Sequence, residues 1–308
     1  MNSHAQNGVT PHGFPVLEPA FVFIHGFLDG AATWDATVAA LGERADDALC
    51  VDLPGMGNRV DDDGPYSLDR FAEDVVKRVG ALRRPVILVG HSMGAQVAEL
   101  AANALGSQVC ALALLTPVPL RGTGLPDEVM QSFHALGGNP AAQRELRRQL
   151  SVRLDDDRLE EIARIGDRVK AANAGVFADI WNRGHPLGAQ PTRYNGPVLI
   201  VRGEDDAFVN AEMISSSVAP HFSHPETVVV ERAGHWPHVE QPASVATILG
   251  AFMATVDQSV KAGVAGQGWT RAFEQKSADT FGDSFAADVV LEATVLAMPV
   301  SGADPHEE

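Results

Sequence analysis

Ser92 lies in Gly90-His91-Ser92-Met93-Gly94, a G-x-S-x-G run between the apolar stretch 86–89 and an Ala-rich helical pattern. A strand before and a helix after make this a turn sharp enough to expose the hydroxyl, and it needs small residues on both flanks. Both flanks are glycine. A helix that begins directly behind the serine points its first backbone N–H groups, led by Met93, at any oxyanion formed there. The chemistry such a turn suits is attack of the hydroxyl on a carbonyl, and that requires a base to take its proton.

The chain holds 11 histidines, so context selects the base. His235 stands in Ala233-Gly234-His235-Trp236-Pro237-His238, after a strand-like run at 227–230 and before a helical pattern, on a loop that can reach back over the sheet. His221, His224 and His238, on the same or a neighbouring loop, are expected at the surface or in supporting positions. His91 is expected to turn away from Ser92 on its strand-to-turn backbone. The acid that orients the base is sought in Arg202-Gly203-Glu204-Asp205-Asp206. Glu204 and Asp205 read as a solvated acidic loop, and Asp206, three residues past Gly203, has cleared the strand end. Thr116-Pro117-Val118 offers no acid, and Asp52, with Pro54 and Gly55 after it, reads as a structural turn. A second oxyanion donor is expected from His25-Gly26-Phe27-Leu28, with the Phe27 N–H beside that of Met93. Trp34 reads as packing for that loop.

The elements that must hold these residues are strands at 21–24, 48–51, 86–89, 109–115, 197–201 and 227–230, alternating with helical patterns at 35–41, 68–82 and 93–105. Strands this apolar are buried on both faces, which predicts an α/β fold with a mainly parallel sheet covered by helices. From Thr116 to about Tyr194 the alternation stops, and helical patterns appear at 126–136, 141–150, 158–170 and 176–181. An all-helical insertion at 117–194 between core segments 1–116 and 195–257 is placed to cover the strands' C-terminal ends, where ligands bind in such sheets. Beyond 257 come the linker-like Ala262–Gly268, aromatic residues Trp269, Phe273, Phe281 and Phe285 at multiples of four, and a strand-like run at 288–296.

Composition narrows the partners. Across 308 residues, 40 acids against 23 bases leave a net charge of −17, which repels nucleic acids and anionic membranes. The longest basic clusters are pairs, among them Arg83-Arg84 and Arg147-Arg148. Cys50 and Cys110 are too few for a disulfide framework or a zinc site. The N-terminus lacks the basic start and apolar core of a signal peptide, and no apolar run reaches the ~20 residues of a membrane span. The expectation is a cytoplasmic protein acting on a small molecule.

Five ordered motifs resemble the α/β-hydrolase superfamily over about residues 20–256: the HGF turn, D-L-P-G-M-G from Asp52 to Gly57, G-H-S-M-G, G-E-D-D, and G-H-W-P-H-V-E-Q-P from Gly234 to Pro242. The resemblance implies the α/β-hydrolase fold with Ser92 as nucleophile, Asp206 and His235 completing a triad, Phe27 and Met93 as oxyanion donors, the helical insertion as the cap, and no metal or cofactor. Leu28, His91, Trp181, Phe208 and Trp236 are expected to contact substrate. The implied reaction is hydrolysis of a small carboxylic ester or lactone; the loop at 203–209 and Thr116–Pro119 are similar to those of acyl-homoserine-lactone lactonases. Serine at the nucleophile position sets the chain apart from the epoxide-hydrolase and haloalkane-dehalogenase branches, which place Asp there. A carbon–carbon bond hydrolase with the same triad, and a hormone-receptor-like binding protein, stay open. Two departures are visible. The short lead-in before the first strand predicts a reduced or missing N-terminal hairpin. The tail resembles the opening of the ketosteroid-isomerase and SnoaL-like fold, and its aromatic face would dock on its own hydrolase or pair two chains as a homodimer.

Overall fold

The structure, a computed structural model, describes residues 18–261 and 289–290. The linker-like 262–268, the aromatic spacing from Trp269 to Phe285 and the isomerase-like tail lie outside the described residues, apart from Val289–Val290.

Strands β1 (Ala20–Ile24), β2 (Leu49–Val51), β3 (Val86–His91), β4 (Val109–Leu115), β5 (Val198–Gly203) and β6 (Pro225–Val230) all pair in parallel, and β7 (Val289–Val290) adds to β6 antiparallel. Their order is β2-β1-β3-β4-β5-β6-β7. Alternate residues serve two cores. Val22, Ile24 and Leu88 join one with Phe71, Val75 and Val97, while Phe21, Phe23 and Val89 join the other with Leu41, Leu249 and Phe252. Burial on both faces is why the strands read as unbroken apolar runs. The helices on the first face are α2 (Leu68–Leu82) and α3 (Met93–Leu105); on the second lie α1 (Asp35–Leu41) and, late in the chain, α10 (Pro242–Lys261). Ser67 starts α2 by accepting the Arg70 N–H at 3.1 Å, satisfying one donor of the first turn.

Between β4 and β5 the chain forms α4 (Asp127–His134), α5 (Pro140–Leu150), α6 (Asp156–Asp167) and α7 (Ala171–Arg183). Asn139 and Asp155 cap α5 and α6 through their side chains, and Pro140 occupies the first helical position of α5, where a missing N–H costs nothing. After β5 come α8 (Ala211–Met213) and, after β6, α9 (Pro237–Glu240). No described helix is long and apolar enough to cross a membrane.

The strand order fixes where a ligand can sit. The chain leaves β1 towards β2 and leaves β3 towards β4, so the loops after β1 and β3 diverge and open a crevice at the C-terminal edge of the sheet. Backbone strain gathers at that edge: Leu28, Ser92, Thr116 and Arg232, which follow β1, β3, β4 and β6, have φ of 55°, 52°, 39° and 52°. Non-glycine residues held at positive φ cost about 1–3 kcal/mol each and persist where the surroundings over-determine them, commonly at functional sites.

Candidate active site

Ser92 occupies the turn between β3 and α3 at φ 52°, ψ −118°. The backbone bonds of the turn hold it there: Ser92 N–H donates to Leu115 O at 3.0 Å, and Ser92 O accepts from Ala95 N at 3.0 Å and Val118 N at 3.3 Å. Both flanking glycines are required by close approach. A Cβ on Gly94 would stand 2.4 Å from His25 O and 2.5 Å from Ile24 O, and one on Gly90 2.4 Å from Gly94 O. Backbone cannot give way as a flexible side chain can, so Gly94→Ala is expected to cost about 2–3 kcal/mol of stability. Urea unfolding reads this, and a loss under about 0.5 kcal/mol would mean that α3 yields freely.

His235 follows β6. Its Nε2 lies 3.0 Å from Ser92 Oγ and its Nδ1 2.8 Å from Asp206 Oδ2. Asp206 comes from the loop after β5, and its other oxygen, Oδ1, accepts the N–H groups of Phe208 and Val209, both at 2.9 Å. Burial pushes the Asp206 carboxyl up, yet the charge and hydrogen bond of His235 and the two backbone N–H groups outweigh it, and the group titrates below the ordinary aspartate range. An acceptor at Nδ1 keeps the proton there and turns the Nε2 lone pair to the serine hydroxyl. Glu204 and Asp205, its neighbours, are exposed.

The His235 loop is tied at its backbone. His235 O accepts from His91 Nε2 at 2.8 Å and from Thr116 Oγ1 at 3.0 Å, and His235 N–H donates to Leu150 O at 2.7 Å. The Glu240 carboxylate collects Gly234 N and Trp236 N from that loop and Val152 N and Arg153 N from the insertion, at 2.8–3.2 Å. Because His91 Nε2 donates to a carbonyl, its Nδ1 carries the lone pair; burial and the neighbouring His235 push its pKa down to about 4.

These groups border a cavity of about 30 Å³, room for two or three waters. Ser92, His235, Phe27, Leu28, His91, Trp181, Phe208 and Trp236 all line it; Met93 lies buried behind Ser92 as the first residue of α3, and Asp206 lies behind His235. The first N–H groups of a helix have no intrahelical acceptor. Four further lining residues come from the insertion and one from the first loop: Phe133, Leu146, Arg147, Leu150 and Asp29. Phe133 stands edge-on to Trp181 at 5.0 Å and Trp181 edge-on to Phe208 at 5.6 Å, so the wall facing Ser92 is aromatic. Sequence reading missed Phe133 and Leu146 because a helical apolar face does not declare which cavity it meets. Arg147 reads there only as half of a basic pair, yet it is 2% exposed while the Arg148 side chain is 52% exposed.

Other expectations are narrowed or gain a role. Of the two places expected for His238 it takes the supporting one: it is fully buried, stacked on Trp34 at 4.2 Å and 4.4 Å from His91. His224 is exposed, and His221 Nε2 meets Glu99 Oε1 at 2.6 Å. Asp52 serves its turn by accepting Ala31 N–H at 2.7 Å. His25 is a tie between loops, donating from Nδ1 to Gly26 O at 2.8 Å and accepting Leu53 N–H at Nε2 at 3.0 Å. Among the described residues no group of three or more His, Cys, Asp or Glu side chains could hold a metal ion.

A parallel sheet in this order, a strained serine at the strand-to-helix turn and a histidine reaching back from the last parallel strand define an α/β-hydrolase. The model of the Alpha/beta hydrolase family matches residues 21–248, more than half of the chain, and the protein belongs to that family. Similar curated proteins include an esterase of Mycobacterium tuberculosis, 28% identical over 77% of this chain and 83% of that protein. An sn-1-specific diacylglycerol lipase of Mus musculus is 24% identical over 77% of this chain and 81% of its own. Among solved structures, a bacterial membrane phospholipase A is 26% identical with a TM-score of 0.64, over 82% of both chains. An esterase of Exiguobacterium antarcticum shares the fold at a TM-score of 0.68 and 18% identity, over 77% of this chain and 92% of its own. Esterases and lipases thus stand among the relatives of this chain, and its family marks it as a hydrolase.

Proposed function

We propose that the protein hydrolyses small carboxylic esters or lactones through an acyl-enzyme on Ser92. The observation that carries this reading is the unbroken hydrogen-bonded series Asp206–His235–Ser92, at 2.8 and 3.0 Å, opening on an aromatic cavity. His235 takes the hydroxyl proton as Oγ attacks the carbonyl carbon. The N–H groups of Met93 and Phe27 receive the oxyanion, and His235 returns the proton to the leaving alkoxide. Water, deprotonated by His235, then attacks the acyl-enzyme and releases the acid with Ser92 restored. The helical insertion acts as a cap, supplying Phe133 and Trp181 to the acyl or alcohol side.

Cavity size favours small substrates, although lipases stand among the relatives. Each methylene of a long acyl chain gains about 0.8 kcal/mol only where it finds apolar room, and the rings of Phe133, Trp181 and Phe208 wall the space beside Ser92. In a series of p-nitrophenyl esters, acetate and butyrate are expected to exceed dodecanoate by about tenfold or more in kcat/KM. A preference for dodecanoate would overturn the small-substrate reading. Turnover no greater than that of Ser92→Ala, together with no attachment of a fluorophosphonate to Ser92, would overturn the nucleophilic one.

A further inference from the structure

Asp29 follows the strained Leu28 and is wholly buried, and its carboxylate is shared by several loops. Oδ1 accepts from Arg147 Nη2 at 3.2 Å, and the same nitrogen donates to Leu28 O at 2.9 Å. Oδ2 accepts from Trp236 Nε1 at 3.0 Å and lies 3.7 Å from His91 Nδ1. Through these bonds one carboxylate joins the loop of Phe27, the insertion helix α5, and the residue next to His235. Arg147 adds a second hold, its guanidinium standing 5.8 Å from the centre of the Trp236 ring. At the end of the same helix, Leu150 O takes the His235 N–H. A single helix of the insertion therefore grips both loops between which Ser92 must work.

A buried ion pair is a poor means of stabilising a fold. Apolar residues of the same volume commonly do as well or better, whereas removing one partner leaves a buried charge uncompensated. The position of this pair assigns it another use. We propose that Arg147 and Asp29 form a positioning pair by which the insertion sets the Phe27 loop and the His235 loop relative to each other for the acyl transfer. This rests on the Ser92–His235–Asp206 reading above. Arg147 acts in two ways. Its Nη2 pins the Leu28 peptide, one residue from the Phe27 N–H, and its charge neutralises Asp29 beside the place where an oxyanion develops. Without it, two negative charges would share a site with little water to screen them. The aromatic wall that binds the substrate is untouched by the change, so the loss falls on kcat and spares KM.

The test uses the full chain with Arg147→Met, Arg147→Lys and the double variant Asp29→Asn/Arg147→Met. For each, kcat and KM on p-nitrophenyl acetate, the rate of fluorophosphonate labelling of Ser92 and the thermal unfolding midpoint are measured. Arg147→Met is expected to lower kcat about 100-fold with KM changed less than about threefold. Arg147→Lys, which keeps the charge and loses the planar fork, falls between it and the parent. The double variant, with no stranded charge, returns to within about tenfold of the parent. A merely structural role would lower the midpoint and the fraction labelled while the folded remainder labelled at the parental rate; that result, or a double variant no faster than Arg147→Met, overturns the proposal. Should Arg147→Met fail to fold, Arg147→Lys decides on the same readouts. If the parent chain itself is not labelled at Ser92, the catalytic reading fails and the positioning pair with it; if the parent is labelled and the variants match it, the pair alone fails.

Discussion

Asp206→Asn is expected to lower kcat on an activated ester by about 10⁴-fold with the fold intact. The reason lies in how an amide must sit in this loop. Asp206 Oδ1 accepts two backbone N–H groups, from Phe208 and Val209. An asparagine can keep those bonds only by placing its oxygen there, which turns its NH₂ to the Oδ2 position, 2.8 Å from His235 Nδ1. A donor facing Nδ1 reverses the imidazole: the proton moves to Nε2, and the nitrogen 3.0 Å from Ser92 Oγ can no longer accept. Placement of every atom survives while the base is lost. Steady-state kcat, set against Ser92→Ala as the floor, checks this. A loss of less than about tenfold would show that His235 does not depend on Asp206 for its tautomer. Because the carboxyl titrates below the ordinary range, protonation of Asp206 does not set the acid limb of activity in mildly acidic solution.

Much of this site is legible in the sequence because the residues concerned sit where strands end. Runs such as 86–89 and 109–115 are apolar on both faces, since both pack under helices, so they stand out without any periodicity. Ser92, Asp206 and His235 follow three of those runs directly. The helices of the insertion are legible in outline, but their ends shift where caps intervene: Asp155 starts α6 earlier than its apolar spacing implies, and α7 extends on both sides of 176–181. What resists reading is pairing across distance. Asp29 looks like one more loop acid, and Arg147 like one more helical cation, until the fold brings 118 residues of separation down to 3.2 Å. Whether His238 is exposed or supports from within stays open in the sequence, because a histidine between Pro237 and Val239 carries no sign that Trp34 will cover it. Local chemistry dictates elements; which buried polar groups face one another is decided by topology.

Three buried histidines outside the Ser92–His235–Asp206 series give the fold a sensitivity to acid. His25, His91 and His238 are each fully buried and each held below the usual histidine range, first of all by burial; for His91 and His238 the neighbouring histidines add to it. Their surroundings show why a second proton is unwelcome. His25 Nε2 already accepts Leu53 N–H, so protonation would set one N–H against another. Among the described residues neither ring nitrogen of His238 has a hydrogen-bond partner, so a charge there would be buried without an acceptor and beside His91 and His235. A depressed folded pKa means that the unfolded chain binds more protons between the two values, so stability is fully present above about pH 6.5 and falls as pH drops through that window. For His91, held at about 4, the window spans some 2.5 units, or about 3 kcal/mol, and the other two act in the same direction. Two effects work the other way: Glu226, whose carboxyl burial pushes up to about 7, takes up its proton in the fold over the same window and offsets about one of the histidines, and relief of the −17 net charge by the other carboxylates comes mainly near pH 4, below most of this range. Urea midpoints measured from pH 7.5 to 4.5 are therefore expected to fall steeply below 6.5, and His238→Phe, which keeps the stack on Trp34 without a titratable ring, is expected to flatten the fall. A profile level between pH 6.5 and 5, or one that His238→Phe leaves unchanged, would mean that these rings are hydrated or paired on the acidic side and do not oppose their own protonation.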